Sequence, residues 1–199
     1  MAKLFMSEKK IAVLLDKSRS HARNYAIFHV ALATGLRAGD LLGLRCLDVA
    51  PRGEVLHTIR IKMQKTGKIV ERGLPDVCRI ALEKHLASRA DDNPYLFTSE
   101  STNAQNPAGH MNRSSLHRLY KAYLGAMFSP EELHGNACHT TRRSVAKLIS
   151  DKAGRIEPAT RFLGHTSVAN TTAYLDMDSY GRQADDLVGL MAWNHKPLT

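Results

Sequence analysis

Apolar positions recur at helical spacing along most of the chain and change to strict alternation in one short stretch. Ser7 stands before KKIAVLLDK and can cap a first helix. A second helix is predicted from about Ser20 to Thr34, with Tyr25, Ile27, Phe28, Val30 and Ala31 facing a core and Gly35 breaking it. A third starts near Arg37 and carries Leu41, Leu42 and Leu44. Val55, His57, Ile59 and Ile61 then alternate as a strand does, Gln64 to Lys68 reads as a turn, and Ile69 to Leu74 as the returning strand that Pro75 ends. Helical spacing returns over Val77–Ala90, Arg113–Met127, His139–Lys152, Pro158–Leu163 and Ser167–Leu175, with a closing helix over Asp178–Trp193. Ser99 to Met111 is polar and rich in Gly, Pro and Asn, the mark of a loop.

The fold class expected from this pattern is α+β, mainly α-helical, with one small antiparallel hairpin. No repeat, low-complexity tract or linker divides the chain, so residues 1–199 are expected to form one domain.

Composition narrows the function classes. Hydrophobic residues make up 43% of the 199, enough for a sizeable core and against global disorder. The formal net charge is +9, which points to a polyanionic partner, either nucleic acid or an anionic membrane surface. A bilayer span needs about 18 consecutive apolar residues or more, and the chain has no such run; its start, MAKLFMSEKK, lacks the apolar segment of a secretory signal. A cytoplasmic location is the expectation. The three cysteines, Cys46, Cys78 and Cys138, are far apart and odd in number, so a zinc site or disulfide framework is not expected. The ten histidines show no metal-ligand spacing.

Four segments hold residues suited to chemistry on an anion. In Thr34-Gly35-Leu36-Arg37-Ala38-Gly39-Asp40-Leu41 a guanidinium falls at a helix start, where an anion is favoured, and Asp40 three residues on could orient Arg37. The hairpin tip Gln64-Lys65-Thr66-Gly67-Lys68 offers an ammonium. His139-Thr140-Thr141-Arg142 puts an imidazole and a guanidinium on one helix face. Leu163-Gly164-His165 is followed nine residues later by Tyr174. Taken singly, each has an ordinary structural reading: a surface ion pair, a solvated lysine, a half-buried tyrosine.

In combination they carry more. TGLRxxDLLxLRxxDV, a strand-turn lysine, HxxRRS and LGHxSxxxTxxY, in that order, resemble the tyrosine recombinase (phage integrase) family from about Ser7 to Asp178. The resemblance implies the family's catalytic-domain fold and a site-specific DNA recombinase that cleaves and rejoins DNA through a 3′-phosphotyrosine. It also assigns residues. Arg37 and Arg142 match the phosphate-clamping arginines, Asp40 the acid that braces the first, and Lys65 the hairpin lysine. His139 and His165 match the two histidines, and Tyr174 the nucleophile. No metal or cofactor is implied. The implied partners are double-stranded DNA and a homotetramer on synapsed sites, with residues from about 178 packing in their own subunit or on a neighbour, and with accessory DNA-binding proteins left open. The family usually carries a helical DNA-clamping domain ahead of this one, and here about six residues precede the first predicted helix, so a short form lacking that domain is expected. Two positions depart from the pattern: Thr141 replaces an apolar residue, and Cys46 stands where Trp is frequent. A type IB topoisomerase shares the Tyr, Arg and Lys chemistry but typically lacks the TGLR and LGH wording. A DNA-binding regulator that had lost catalysis would miss a catalytic residue, and none is missing.

The chemistry asked of these residues is specific. Two arginines can hold the non-bridging oxygens as charge builds on them. A phenol with a free pKa near 10 is only about one part in a thousand ionised at pH 7. Neighbouring cations would favour its anion. His139 is placed to take its proton, and Lys65, rather than Lys62 or Lys68, to protonate the leaving 5′ oxygen.

Overall fold

In the computed structural model, which describes residues 3–99, 109–134 and 137–175, the helices pack around one main core and one smaller one. The elements run α1 (Glu8–Ser18), α2 (Ala22–Thr34), α3 (Ala38–Leu42), α4 (Cys46–Val49), β1 (Thr58–Lys62), β2 (Ile69–Gly73), α5 (Asp76–Ala87), α6 (Arg113–Leu124), α7 (Pro130–Leu133), α8 (Ala137–Ala153), α9 (Glu157–Leu163) and α10 (Val168–Leu175). The mainly helical α+β reading holds, and among the described residues the only sheet is the antiparallel β1–β2 hairpin. Two four-residue helices, α4 and α7, were not expected: both are too short to show a period, and α7 is signalled only by the capping box of Ser129 and Glu132. The expected helix over Asp178–Trp193 lies outside the described residues. None of the described helices is long and apolar enough to cross a membrane.

Local chemistry sets the element ends. Ser7 Oγ accepts from Lys10 N at 3.3 Å and starts α1. α2 is so apolar that Ala26, Ile27, Phe28 and Val30 are all fully buried, which makes it the central helix. It stops at Gly35 (φ 59), and α9 stops at Gly164 (φ 65), both in the left-handed conformation that glycine adopts without a steric penalty. These two helix ends abut, and a Cβ at Gly35 would run into the Phe162 ring.

In the hairpin, Ile61 lies opposite Val70 and Ile59 opposite Arg72. Ile59, Ile61 and Met63 point into the core, while Arg60 and Lys62 point out. The chain reverses between Met63, whose N–H donates to Lys68 O at 2.8 Å, and Gly67, whose N–H donates to Met63 O at 2.8 Å. Lys65 and Thr66 are therefore the tip.

The main core gathers residues of α1 to α6, the hairpin and the links between them. The smaller one holds Ala146, Ala159, Leu163 and Leu175, with Phe5, Phe162 and Tyr174 against it. Thr141, one of the two departures, is buried and its hydroxyl bonds Tyr120 Oη at 3.0 Å, so this polar replacement inside the core is satisfied.

Candidate active site

The sequence-selected residues converge. Arg37, Asp40, Lys65 and His139 line one open cleft of about 830 Å³, together with Gln64, Cys138 and the α6 side chains Arg113, His117 and Arg118. Arg142, His165 and Tyr174 are not on that wall but lie beside it, close enough that the charges of Arg142 and Arg37 act on both His139 and His165.

Arg37 is half-buried at the start of α3, with extended backbone (φ −69, ψ 154). Asp40, expected to orient Arg37, is seen with a different partner among the described residues. Asp40 is buried and its Oδ1 accepts from Gln64 N at 2.8 Å, while Gln64 Nε2 donates to Gly39 O at 3.1 Å. The carboxylate anchors the base of the hairpin on α3, next to Lys65. The i, i+3 spacing gave Arg37 as its partner because a sequence shows only neighbours along the chain. Lys65 is exposed at the tip and lines the cleft; Lys62 lines a separate surface pocket, and Lys68 lines neither.

Arg142 is held most firmly. It is 3% exposed, and its guanidinium donates to Gly35 O and, at 2.6 Å, to Leu163 O, the ends of α2 and α9. Cations are favoured at helix C-termini, where the last carbonyls lack helical partners. Burial pushes its pKa down to about 10, with Tyr174 opposing that and Arg37 adding to it, so it stays a cation at neutral pH.

His165 follows the Gly164 cap. Its N–H donates to Thr160 O at 3.1 Å, and its Nδ1 pairs with Thr171 Oγ1 at 3.0 Å, which leaves Nε2 for a ligand. Burial, then Arg142, Arg37 and Lys65, push its pKa down to about 4, so the ring is neutral near pH 7. His139 is also held below the usual histidine range, first by burial and then by Arg143, Arg142 and Arg37.

Tyr174 sits on α10 between these groups. The His165 ring meets it edge-on with centroids 5.4 Å apart, and the guanidinium carbons of Arg142 and Arg143 lie 6.0 and 5.5 Å from its ring centre. Its hydroxyl is buried and meets no partner of regular geometry among the described residues, although the Arg142 guanidinium lies near enough to act on it as a donor. The cations do pull its pKa down, as the sequence suggested, but burial outweighs them and the net direction is up. The free site therefore holds a phenol.

Sequence reading missed Arg113, His117 and Arg118, although the basic character of their helix was a signal.

Comparison with known proteins bears on the family and the fold. The phage integrase family model matches residues 5–179. A tyrosine recombinase of Thermosipho africanus is 25% identical over 173 residues, 86% of this chain and 56% of that protein. A tyrosine recombinase XerC of a Methylobacterium species is 29% identical over 164 residues, 79% of this chain and 47% of that protein. The crystal structure of XerA recombinase superposes with a TM-score of 0.71 at 26% identity, covering 100% of this chain and 67% of that one. The XerH recombinase bound to its difH substrate shares the fold, with a TM-score of 0.69 at 18% identity, covering 94% of this chain and 53% of that one. The chain spans about half the length of the curated relatives it matches. With the motifs, the fold and the family match in agreement over most of its length, the chain belongs to the phage integrase family.

Proposed function

We propose that this chain is the catalytic part of a site-specific DNA recombinase that breaks and rejoins DNA through Tyr174. The observation that carries this reading is the grouping of a buried tyrosine, two arginines, two neutral histidines and a hairpin lysine around one basic cleft. Its relatives are named recombinases, and XerH was crystallised with its DNA site.

The geometry supports the following roles. Arg37 and Arg142 hold the non-bridging oxygens of the scissile phosphate, with the neutral His165 donating from Nε2. Donors fixed before the reaction act where charge develops, usually the largest catalytic contribution. Tyr174 Oη attacks phosphorus as its proton passes to His139, which is neutral and able to accept. The P–O5′ bond breaks, and Lys65 protonates the leaving oxygen. The 3′-phosphotyrosine keeps the energy of the broken ester, so the reverse attack by a 5′ hydroxyl reseals the strand without ATP. Double-stranded DNA is the substrate, a homotetramer on two synapsed sites is the acting form, and accessory DNA-binding proteins are a further partner class. Residues 1–199 act as one domain, with the segment from about 178 as the contact between subunits, and the protein works in the cytoplasm on the nucleoid.

The test is a nicked suicide duplex carrying the target site, recovered by selection from random DNA. A protein–DNA band that survives denaturation is expected. A wild-type protein that binds the duplex and never forms that band contradicts the reading.

A further inference from the structure

The ends of α2 and α9 are tied by two guanidinium groups. Arg142 bridges Gly35 O and Leu163 O. Arg72, on β2, bridges the two carbonyls one residue earlier: its Nε donates to Thr34 O at 3.0 Å and its Nη2 to Phe162 O at 2.7 Å. Nη1 donates to Glu71 O at 2.7 Å, which fixes the fork to its own strand. The guanidinium carbon also lies 5.7 Å from the centre of the Phe162 ring, the ring that packs on Gly35. Each arginine thus takes one terminal carbonyl from each helix, and two successive carbonyls at each helix end are satisfied.

The residues that follow these carbonyls are those of the site. Arg37 is two residues beyond Gly35, and His165 two beyond Leu163. Arg72 stands on the strand that returns from the Lys65 turn. We infer that Arg72 is a positioning residue of the site, locking the hairpin to the joined ends of α2 and α9 so that Arg37, Arg142 and His165 face the phosphate in fixed register. This inference rests on the recombinase reading above. Arg72 does not touch DNA; it acts through Arg142 and the two helix ends. A lysine in its place keeps the charge but has a single nitrogen and cannot reproduce a fork on three carbonyls.

The experiment measures single-turnover cleavage of the suicide duplex by Arg72→Lys and Arg72→Gln, each in the wild-type and in the Arg142→Lys background, with DNA affinity and Tm measured alongside. Misplacing reacting groups by about 1 Å can cost up to roughly a hundredfold in rate, so Arg72→Lys should cleave at least about tenfold slower. Its DNA affinity should stay within about twofold, since the phosphate contacts that dominate affinity are intact. Residues that act as a unit are non-additive, so in the Arg142→Lys background the same change should cost less than about threefold. A purely structural role would lower Tm and slow cleavage by the same factor in both backgrounds, and that result overturns the inference. Cleavage by Arg72→Lys within about twofold of wild type overturns it too. Should Arg72→Gln fail to fold, Arg72→Lys alone decides. Failure of the wild-type protein to form adduct defeats the recombinase reading itself, whereas wild-type adduct with Arg72→Lys at parity defeats only the positioning role.

Discussion

The two halves of the site rest on cores of different size. Arg37, Asp40 and the hairpin lie on the main core, beside the fully buried α2. Tyr174 and the α9–α10 pair lie on the smaller one, whose buried members among the described residues are Ala146, Ala159, Leu163 and Leu175. Over the described residues the half that holds Arg37 buries more apolar area than the half that holds Tyr174, and stabilisation scales with that area. Arg142 crosses between them, bonded to one carbonyl of each. The arrangement suits a reaction in which the anion-binding frame must stay fixed while a buried phenol has to reach a phosphorus atom.

The largest expected effect breaks the nucleophile half alone. Tyr174→Phe removes a hydroxyl that makes no regular hydrogen bond among the described residues, so fold and DNA affinity should hold while the covalent band disappears from a denaturing gel. A band that persists places the nucleophile elsewhere.

Next come the arginines, which sharpen the contrast. Losing a donor aimed at developing charge costs about 3 to 4 kcal/mol, so Arg37→Ala and Arg142→Ala should each slow single-turnover cleavage roughly a hundred- to thousandfold. Their stabilities should differ. Arg142→Ala strands the Gly35 and Leu163 carbonyls, and each unsatisfied buried group costs about 1 to 3 kcal/mol. Arg37, half-buried on the cleft wall, gives up no such bonds among the described residues, so thermal melting should separate the two variants. Equal Tm values would show that Arg142 does not bind the two halves together.

Lys65→Ala should change stability least of the site variants, because the side chain is exposed at the tip. It should cleave a normal site slowly and a site with sulfur in place of the bridging 5′ oxygen well, since sulfur scarcely needs a proton to leave. Equal slowness on both substrates, or rescue by Lys68→Ala instead, removes Lys65 from the acid role.

The smallest effect is on stability against pH. His29, His85, His139 and His165 all have folded pKa values below the ordinary 6.5, with His165 at about 4. Such a histidine binds fewer protons folded than unfolded. Its contribution is therefore intact above the unfolded pKa and is lost as pH falls from about 6.5 towards 4. Tm measured across that window should drop. Cleavage should fall as well, because a protonated His139 cannot accept the phenol proton. A Tm that rises on acidification would mean that these rings are charged in the folded state.

Much of this was legible in the sequence because the chemistry is local there. Gly35 breaks α2 before Arg37, as expected, and the structure shows both it and the Gly164 that precedes His165 with positive φ. The turn at Gln64–Lys68 follows from Gly67 between two strands. What failed is what depends on distance along the chain. The Asp40–Gln64 bond, the Arg72 bridge and the Arg113, His117 and Arg118 side of the cleft all join elements that only the fold brings together. The pull of the cations on Tyr174 could be inferred from the motifs, but the depth of burial that outweighs it could not.

The most direct measurement is the identity of the residue joined to DNA. The adduct trapped on the suicide duplex is trimmed with nuclease, digested to peptides and mapped by mass spectrometry. The account predicts a nucleotide linked by its 3′ phosphate to the oxygen of Tyr174, and none on the other tyrosines or on any serine. A linkage to a different residue, or to a 5′ phosphate, contradicts it.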